Sequence, residues 1–107
     1  MNTPIIQNLD LVAQGKTVGI TANSHKVIRN MLDGVVKASR EVGIDFQCIQ
    51  KVGEIPDAAD GISFTKDNTQ MLGALGAAAK VGGATAWFWS REDARNCVDV
   101  LFVDEAA

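Results

Sequence analysis

The first apolar positions along the chain are spaced as on one face of a helix. They are Ile5, Ile6, Leu9 and Val12. Thr3 followed by Pro4 is typical of a helix start, because a hydroxyl caps free amides and proline fits the first helical position. We therefore predict a first helix that stops near Gly15. A strand is predicted over residues 16–22, which are mostly apolar and β-branched, as in a strand covered on both faces.

A second, longer helix is predicted from Asn23 or Ser24 to about Val42, with Gly43 as its stop. Its apolar positions form one stripe, made of Ile28, Met31, Leu32, Val35 and Val42. Its charged positions form the opposite face, made of Lys26, Arg29, Asp33, Lys37, Arg40 and Glu41. This division is typical of a helix that packs one side on a core and exposes the other to water.

The remaining predicted elements are shorter. In chain order they are a strand at 45–51, an acidic loop at 51–61, a short strand at 62–65, a helix at 67–80, a strand at 84–89 and a strand at 99–103. Gly73 and Gly76 each cost the predicted helix about 1 kcal/mol relative to alanine, and Gly82-Gly83 ends it. Ser90 with Asp93 resembles a capping box for one or two helical turns.

This alternation predicts the fold class: α/β, with a parallel sheet, flanking helices and right-handed crossovers. A chain of 107 residues is long enough for one core, so residues 1–107 are expected to form a single α/β unit. A composition of 47% hydrophobic and 21% charged residues excludes disordered, collagen-like and coiled-coil classes. No apolar run approaches the ~18 residues of a membrane span, and residues 1–10 lack a signal-peptide pattern. We expect a soluble, cytoplasmic protein with no membrane partner.

The charge is unevenly distributed, although the net charge is only −3. Residues 1–51 carry six basic and four acidic groups, whereas residues 52–107 carry four basic and nine acidic groups. This balance argues against a wholly basic nucleic-acid-binding domain, but it permits one edge of the domain to meet phosphate. Cys48 and Cys97 form no metal-type spacing and are expected to be buried, reduced thiols, and His25 alone is no metal site.

The end of the chain carries the sharpest chemical pattern. Four apolar residues at 100–103 are followed by Asp104 and Glu105. A buried parallel strand delivers its last side chains to the carboxyl edge of the sheet, where α/β proteins bind ligands. There one carboxylate can hold the water shell of Mg²⁺ while the other orients an attacking water, which is the content of a Walker B strand. The alternative is a buried strand that simply turns polar where it reaches solvent.

A phosphate-binding P-loop is not predicted, although Gly15-Lys16-Thr17 contains part of its pattern. The motif needs a glycine five residues before Gly15, and Asp10 stands there. It also needs a strand before and a helix after, whereas the predicted order here is the reverse. The segment is therefore interpreted as a helix stop that leads into a strand.

Residues 21–26 lie where the first predicted strand meets the second helix. Asn23 or Ser24 caps that helix, which is a sufficient structural reason for either residue. Lys26 and His25 oppose the helix dipole, at a cost of a few tenths of a kcal/mol. An anion such as a nucleic-acid phosphate would instead be held there by amides, dipole and Lys26 together. The alternative is a solvated lysine beside an ordinary cap.

Residues 85–90 combine two tryptophans with polar ends. On the predicted strand, Trp87 and Trp89 share one face and Phe88 lies on the other. Tryptophan can stack on bases, but aromatic residues in a parallel sheet are more often part of the core. Thr85 and Ser90, at the ends of this predicted strand, are the better candidates for polar contacts to a nucleic-acid backbone.

Three segments together resemble superfamily 1 nucleic-acid helicases: residues 18–26, residues 83–87 and residues 99–106. The likeness is strongest to the Upf-like branch, in large bacterial proteins that join such a helicase to a RecB-like nuclease domain. Residues 21–26 resemble motif Ia, residues 85–90 the next strand-end motif, and the Asp104-Glu105-Ala106 segment motif II. The likeness covers about residues 11–107, and its specificity comes from three weak motifs in the family's order and spacing.

The resemblance implies roles for individual residues. Asp104 would hold Mg²⁺ through water and Glu105 would position the attacking water, with ATP and Mg²⁺ as cofactors of the intact parent protein. Single-stranded nucleic acid would be contacted from the motif Ia side and from the next motif, by Thr21, Asn23, Ser24, His25, Lys26, Thr85 and Ser90. The rest of the helicase chain would be the other partner.

The departures from the family are large. The P-loop should precede the first helix, but residues 1–4 stand in its place, and the chain stops directly after motif II. We therefore expect an internal fragment of a RecA-like motor domain that lacks the P-loop strand. Such a fragment should not bind ATP or Mg²⁺ tightly, hydrolyse ATP or unwind nucleic acid alone. The last strand would lie at an exposed apolar edge, which predicts a homodimer at high concentration.

Two other classes remain open. The second hypothesis is a stand-alone α/β interaction module without nucleotide chemistry, in which Asp104 and Glu105 are merely acidic residues near the end. The third, which is weaker, is a small-molecule enzyme of flavodoxin-like shape, for which the sequence offers no nucleophile–base pair and no metal cluster.

Overall fold

The computed structural model describes residues 3–57, 61–94 and 96–104. The strands are β1 (Val18–Ala22), β2 (Cys48–Lys51), β3 (Ile62–Thr65), β4 (Val81–Gly83) and β5 (Val100–Asp104). The helices are α1 (Thr3–Ala13), α2 (His25–Val42), α3 (Asn68–Ala74) and α4 (Ala86–Trp89), with a 3₁₀ turn at Glu92–Ala94. All strand pairs are parallel, and the order across the sheet is β3-β2-β4-β1-β5. The predicted α/β class with a parallel sheet and flanking helices is confirmed.

The long helix α2 forms as its sequence pattern predicts. Ser24 is the N-cap, and its side chain accepts a hydrogen bond from the Val27 amide at 3.2 Å. Gly43 ends the helix in the left-handed conformation, with φ 78°. The apolar stripe is buried except for Val42, which is exposed. Among the described residues, no helix is both long enough and apolar enough to cross a membrane.

The helices divide between the two faces of the sheet. Helices α1 and α2 cover one face, which we call the α2 face, where Ile20 and Leu32 are completely buried. Helices α3 and α4 and the 3₁₀ turn lie on the opposite face, which we call the α3 face, around Met71 and Phe88. The crossover through α2 runs one way along the sheet, and those through α3 and α4 run the other way. Opposite directions on opposite faces give these crossovers one common handedness, as expected for parallel strands.

The predicted helix over residues 67–80 is wrong in its second half. Helix α3 ends at Ala74, and a turn follows in which Gly76 has φ 82° and its amide donates to the Ala79 carbonyl at 2.8 Å. Gly82-Gly83 does not end a helix but belongs to the central strand β4. A Cβ on Gly82 would lie 2.5 Å from Leu75 Cδ2, so the missing side chain lets α3 pack closely on the sheet.

The predicted strand at residues 84–89 is also wrong, because most of it forms helix α4. Its anchor is Trp89, whose Nε1–H donates to the carbonyls of Ile20 and Ala84 at 3.1 and 3.0 Å. The Trp89 ring covers Gly19, where a Cβ would lie 2.7 Å from the ring. These tertiary contacts, which no local pattern reports, favour a turn of helix over a strand.

The predicted capping box of Ser90 and Asp93 does not form. Ser90 is the C-cap of α4, and its hydroxyl donates to the Trp87 carbonyl at 3.0 Å. Asp93 accepts two hydrogen bonds from Arg91, both at 2.9 Å. The helical turn itself is present, as the 3₁₀ turn.

Other element boundaries shift by a few residues. The strand predicted at 45–51 begins only at Cys48, the one at 16–22 begins at Val18, and the one at 99–103 is shifted by one position. The short strand at Ile62–Thr65 is confirmed, and so is the position of the last strand at a sheet edge. On that edge strand, Leu101 is 40% and Val103 59% exposed.

Both cysteines are free thiols, but they differ in environment. Cys48 is completely buried, and burial, together with the nearby Asp33 carboxylate, raises its pKa to about 12. Cys97 is half-buried; its thiol donates to the Ala94 carbonyl at 3.0 Å, and partial burial raises its pKa. The prediction of reduced thiols is confirmed, whereas full burial holds only for Cys48.

Candidate functional site

All five strands end at the same edge of the sheet, which we call the carboxyl edge. The register pairs Ala22 at the end of β1 with Asp104 at the end of β5. On the other side of β1, Ile20 pairs with Gly83, and the Ala84 amide donates to the Ile20 carbonyl at 3.0 Å. The segments 21–26 and 84–85 and the end of β5 therefore meet at one edge, where open α/β sheets place their ligands.

Thr21 contributes a buried hydroxyl at this edge. Its residue is only 7% exposed, and Oγ1 has no hydrogen-bond partner among the described residues. Because Ile20 faces α2, the alternation of the strand turns Thr21 toward the α3 face. A buried polar atom without a partner costs about 1–3 kcal/mol, so a ligand or water that reaches Thr21 is favoured.

The residues after β1 form the amino end of helix α2. The Ser24 side chain is used as the helix cap, whereas Asn23 is exposed. His25 and Lys26 are exposed in the first turn, which contains no acidic residue. Helix geometry leaves the first amides without partners inside the helix, and Ser24 satisfies the amide of Val27. Free amides, helix dipole and two basic side chains together make this end of α2 attractive to an anion.

Thr85 and Ser90 are separated by helix α4, not by a strand. Thr85 is half-buried at the N-cap of α4, next to the carboxyl edge, and makes no side-chain cap hydrogen bond. Ser90 lies at the far end of that helix with its hydroxyl engaged by Trp87. Thr85 thus joins the candidate site directly, and Ser90 does not.

The aromatic residues nearby have different environments. Phe88 is buried and Trp89 is fixed by its two hydrogen bonds, as expected of core residues. Trp87 is 86% exposed on the outer side of α4, so the expectation of a core role is wrong for this residue. In helix α4 the side chains of Trp87 and Trp89 point in different directions, whereas a strand would have placed them on the same face.

The two predicted catalytic carboxylates are only partly defined. Asp104 is the last described residue of β5, and its backbone lies beside Ala22 at the end of β1. The Asp104 side chain and all of Glu105 lie outside the described residues. Within the part of the chain that the structure describes, no group of three or more His, Cys, Asp or Glu side chains is close enough to hold a metal ion.

The described residues do not fit the phosphates of ATP at Gly15-Lys16-Thr17. Gly15 ends α1 with φ 84°, and its amide donates to the Val12 carbonyl at 2.9 Å. The Thr17 amide donates to the Asp99 carboxylate at 2.8 Å, in a place where a P-loop would present amides to phosphate. The interpretation of this segment as a helix stop is confirmed.

A cavity that the sequence did not predict lies beside the amino end of α2. Its volume is about 540 Å³, and it lies between the first turns of α2 and the ends of β2 and β3. The residues that line it include Lys26, Arg29, Gln50, Val52, Glu54 and Phe64. Gln50 lies inside a predicted strand, and a buried polar side chain usually has a specific partner, but no local pattern places it beside α2.

Comparisons with protein-family models, with curated proteins and with solved structures found no match to this chain. The functional assignment therefore depends on the residues at the carboxyl edge and on their geometry.

Proposed function

We propose that this chain is part of an ATP-dependent DNA or RNA helicase motor, as its resemblance to superfamily 1 implies. The sheet would be part of a RecA-like domain that lacks the P-loop strand. Asp104 and Glu105 would act as Walker B carboxylates on Mg²⁺ and ATP once the rest of the motor supplies the phosphate loop. The chain by itself would contribute a weak contact to single-stranded nucleic acid.

The register at the carboxyl edge is the observation that best supports this proposal. Three segments that resemble helicase motifs are far apart in sequence, yet β1 is paired with both β4 and β5. Strand β1, which ends in the segment that resembles motif Ia, lies between β4 and β5, the strands that adjoin the other two segments. A motor that couples ATP hydrolysis to movement along a nucleic acid needs its Walker B carboxylates close to the residues that contact the nucleic acid.

The proposed contact with single-stranded nucleic acid begins at the amino end of α2. Lys26 and His25 would hold a backbone phosphate together with the helix amides, and Asn23 would bond to a neighbouring sugar or phosphate. Thr21, with its unpartnered buried hydroxyl, and Thr85 would line the same path. Ser24 acts mainly as the helix cap, and Ser90 contributes least because its hydroxyl is already bonded.

Binding of fluorescent oligo-dT at low salt tests whether this chain contacts single-stranded nucleic acid. We expect a Kd of ~10⁻⁴ M or weaker with a shallow salt dependence, because few cations are involved. Lys26→Ala should weaken binding several-fold and lower the salt slope by about one. The matched control is Lys37→Ala, an exposed lysine in the middle of the same helix, which should leave binding unchanged. Equal effects of the two substitutions would contradict the proposed contact.

ATP hydrolysis by a longer protein that contains this segment tests the motor assignment. Asp104→Asn should abolish hydrolysis, because the carboxylate that holds the water shell of Mg²⁺ is lost. Asp57→Asn, in an exposed loop, is the control and should leave the rate unchanged. A rate that Asp104→Asn does not alter would exclude the motor assignment.

A stand-alone interaction module is the second candidate, and one observation favours it. The apolar side chains Leu101 and Val103 are exposed on the edge strand β5, which is a surface suited to pairing with another chain. Under this alternative the chain would not bind oligo-dT. Asp104→Asn would then have no effect on any nucleotide chemistry.

A further inference from the structure

The cavity beside α2 contains a buried acceptor without a donor. Gln50 is only 1% exposed and lines the cavity, and its Nε2 donates to the His25 carbonyl at 3.0 Å. Its Oε1 receives no hydrogen bond within the described part of the chain. The bond to His25 fixes the amide so that nitrogen faces the helix carbonyl and oxygen is left to accept. Oε1 is itself enclosed, so a ligand that donates an N–H or O–H from the cavity would satisfy this oxygen after a small shift of the Gln50 side chain.

The same cavity has a positive rim on its helix side. Lys26 and Arg29 line it from the first turns of α2, where the helix amides add partial positive charge. Arg29 is oriented by Asp33, whose carboxylate lies 3.2 Å from the guanidinium. This side of the cavity suits an anionic group.

The remaining walls are largely apolar. Val52 and Pro56 line the cavity from the chain that follows β2, and Phe64 lines it from β3. The Arg29 guanidinium lies 5.0 Å from the centroid of the Phe64 ring, which holds the ring beside the charged rim. These walls suit a flat apolar group that is linked to the anion.

We infer that this cavity accepts one unstacked base of the single strand, with an N–H group of the base bonded to Gln50 Oε1 and the adjoining phosphate at Lys26. The inference depends on the proposed function, because it specifies which part of the bound single-stranded nucleic acid enters the cavity beside α2. A base joined to a phosphate combines the three properties that the walls require: a donor, a flat ring and a negative charge.

A simple anion fits the cavity less well than a nucleotide. Gln50 Oε1 and the carboxylate of Glu54, which also lines the cavity, would both repel an anion that filled it. Every nucleobase carries an N–H donor on a flat ring, whereas inorganic phosphate at neutral pH offers an O–H donor but no apolar surface for the remaining walls. The cavity of about 540 Å³ also falls within the range of pockets that hold small organic ligands.

The decisive comparison is between oligo-dT of eight nucleotides and its fully abasic analogue, which has the same number of phosphates. The wild-type chain should bind oligo-dT about tenfold more tightly, because only the base satisfies Gln50 and packs on Phe64. Gln50→Met keeps the length of the side chain but removes the acceptor, and should reduce this preference to a few-fold. Lys37→Ala serves as the control and should keep the full preference.

The side-chain amide protons of Gln50 give a second readout that does not depend on a variant folding. Their NMR signals should shift on addition of oligo-dT, and should not shift with the abasic analogue or with inorganic phosphate. Thymidine 5′-monophosphate distinguishes a free nucleotide from a strand. If it binds as tightly as oligo-dT, the cavity is a mononucleotide site and the assignment to a strand is wrong.

The outcomes separate this inference from the proposed function. Equal affinity for oligo-dT and the abasic analogue, with no change at Gln50, would overturn the base-binding inference while the backbone contact of the proposed function stands. No binding of either oligonucleotide would overturn the proposed function itself. A preference for oligo-dT that Gln50→Met removes would support both.

Discussion

The two faces of the sheet are built in different ways. The α2 face is covered by one helix of 18 residues with a continuous apolar stripe, supported by α1. The α3 face is covered by helices of seven and four residues and a 3₁₀ turn. Strand glycines allow close approach on both faces: Gly19 and Gly82 receive Trp89 and Leu75 on the α3 face, and Gly83 receives Ile28 on the α2 face.

This difference concerns how tightly each helix layer packs on the sheet. The α2 face is covered by the rigid, well-capped helix α2, whose first turn lies at the carboxyl edge. The α3 face leaves part of the sheet uncovered, including Leu101 and Val103 on β5. We expect the α2 face to contribute more of the folding free energy than the α3 face. The proposed binding residues lie at the carboxyl edge on both sides of the sheet, with Lys26 on α2 and Thr85 at the start of α4.

The largest expected effect is the loss of a side chain from the α2 face. Leu32→Ala should lower the free energy of unfolding by about 3–4 kcal/mol, because Leu32 is completely buried against a rigid helix and sheet. Leu75→Ala on the α3 face should cost about 2 kcal/mol, since the short elements around it can relax. Urea denaturation measures both values, and an equal or reversed order would contradict the comparison.

Two neighbouring glycines in β4 sharpen the comparison, because each faces a different helix layer. A Cβ on Gly83 would lie 2.4 Å from Ile28 Cγ2, and a Cβ on Gly82 would lie 2.5 Å from Leu75 Cδ2. Gly83→Ala should cost about 2–3 kcal/mol, because the β-branched Ile28 cannot move within its helix. Gly82→Ala should cost about 1 kcal/mol, because the end of a leucine side chain can rotate away.

Thermal denaturation of the two alanine variants measures this difference. Gly53→Ala, where a Cβ would meet no atom within 4 Å, is the control for the substitution itself. Equal losses at Gly82 and Gly83 would mean that the two layers are equally rigid.

The elements that formed as predicted share one property, which is a long and regular pattern. Helix α2 could be predicted because 18 residues repeat the apolar period and a serine and a glycine mark its ends. The second half of the segment 67–80 and the segment 84–89 could not. There the sequence is rich in glycine and alanine or in aromatic residues, and tertiary contacts such as those of Trp89 decide the backbone conformation.

The candidate site was predictable to a similar degree. The position of Thr21 and Lys26 at a strand-to-helix junction follows from local pattern, and parallel pairing brings that junction next to Asp104. The cavity at Gln50 was not predictable, because Gln50 and Phe64 are brought to α2 only by the pairing of β2 with β3 and β4. Sequence spacing carries no information about that juxtaposition.

A pH experiment probes the tight packing of the α2 face through Cys48. The folded pKa of this thiol is raised from 9.0 to about 12, chiefly by burial. The contribution of the neutral thiol to stability is therefore complete below about pH 9 and is lost as pH rises toward about 12. Denaturation midpoints should fall over this range, and Cys48→Ala should make the fall smaller.

Thiol labelling at pH 8 provides the matched measurement on the other face. Cys97, which is half-buried on the α3 face, should react at least tenfold faster than Cys48 in the folded chain, because a buried thiol is protected until the protein opens. Similar rates for the two thiols would contradict a tightly packed α2 face.

The smallest expected effect concerns β5, the edge strand of the sheet, on the α3 face. Exposed apolar residues on β5 predict weak homodimerisation at millimolar concentration. Val103→Lys should abolish it and change the free energy of unfolding by less than about 0.5 kcal/mol, because Val103 is mostly exposed. Sedimentation that shows a strict monomer of the unsubstituted chain at millimolar concentration would contradict this prediction.

The central claim is that the carboxyl edge at β1 and α2 binds single-stranded nucleic acid. Backbone amide NMR shifts on addition of oligo-dT at low salt test it most directly. We predict the largest shifts at residues 21–26 and at Ala84 and Thr85, with smaller shifts along α4. Shifts that avoid residues 23–26, or that appear only along β5, would contradict the claim.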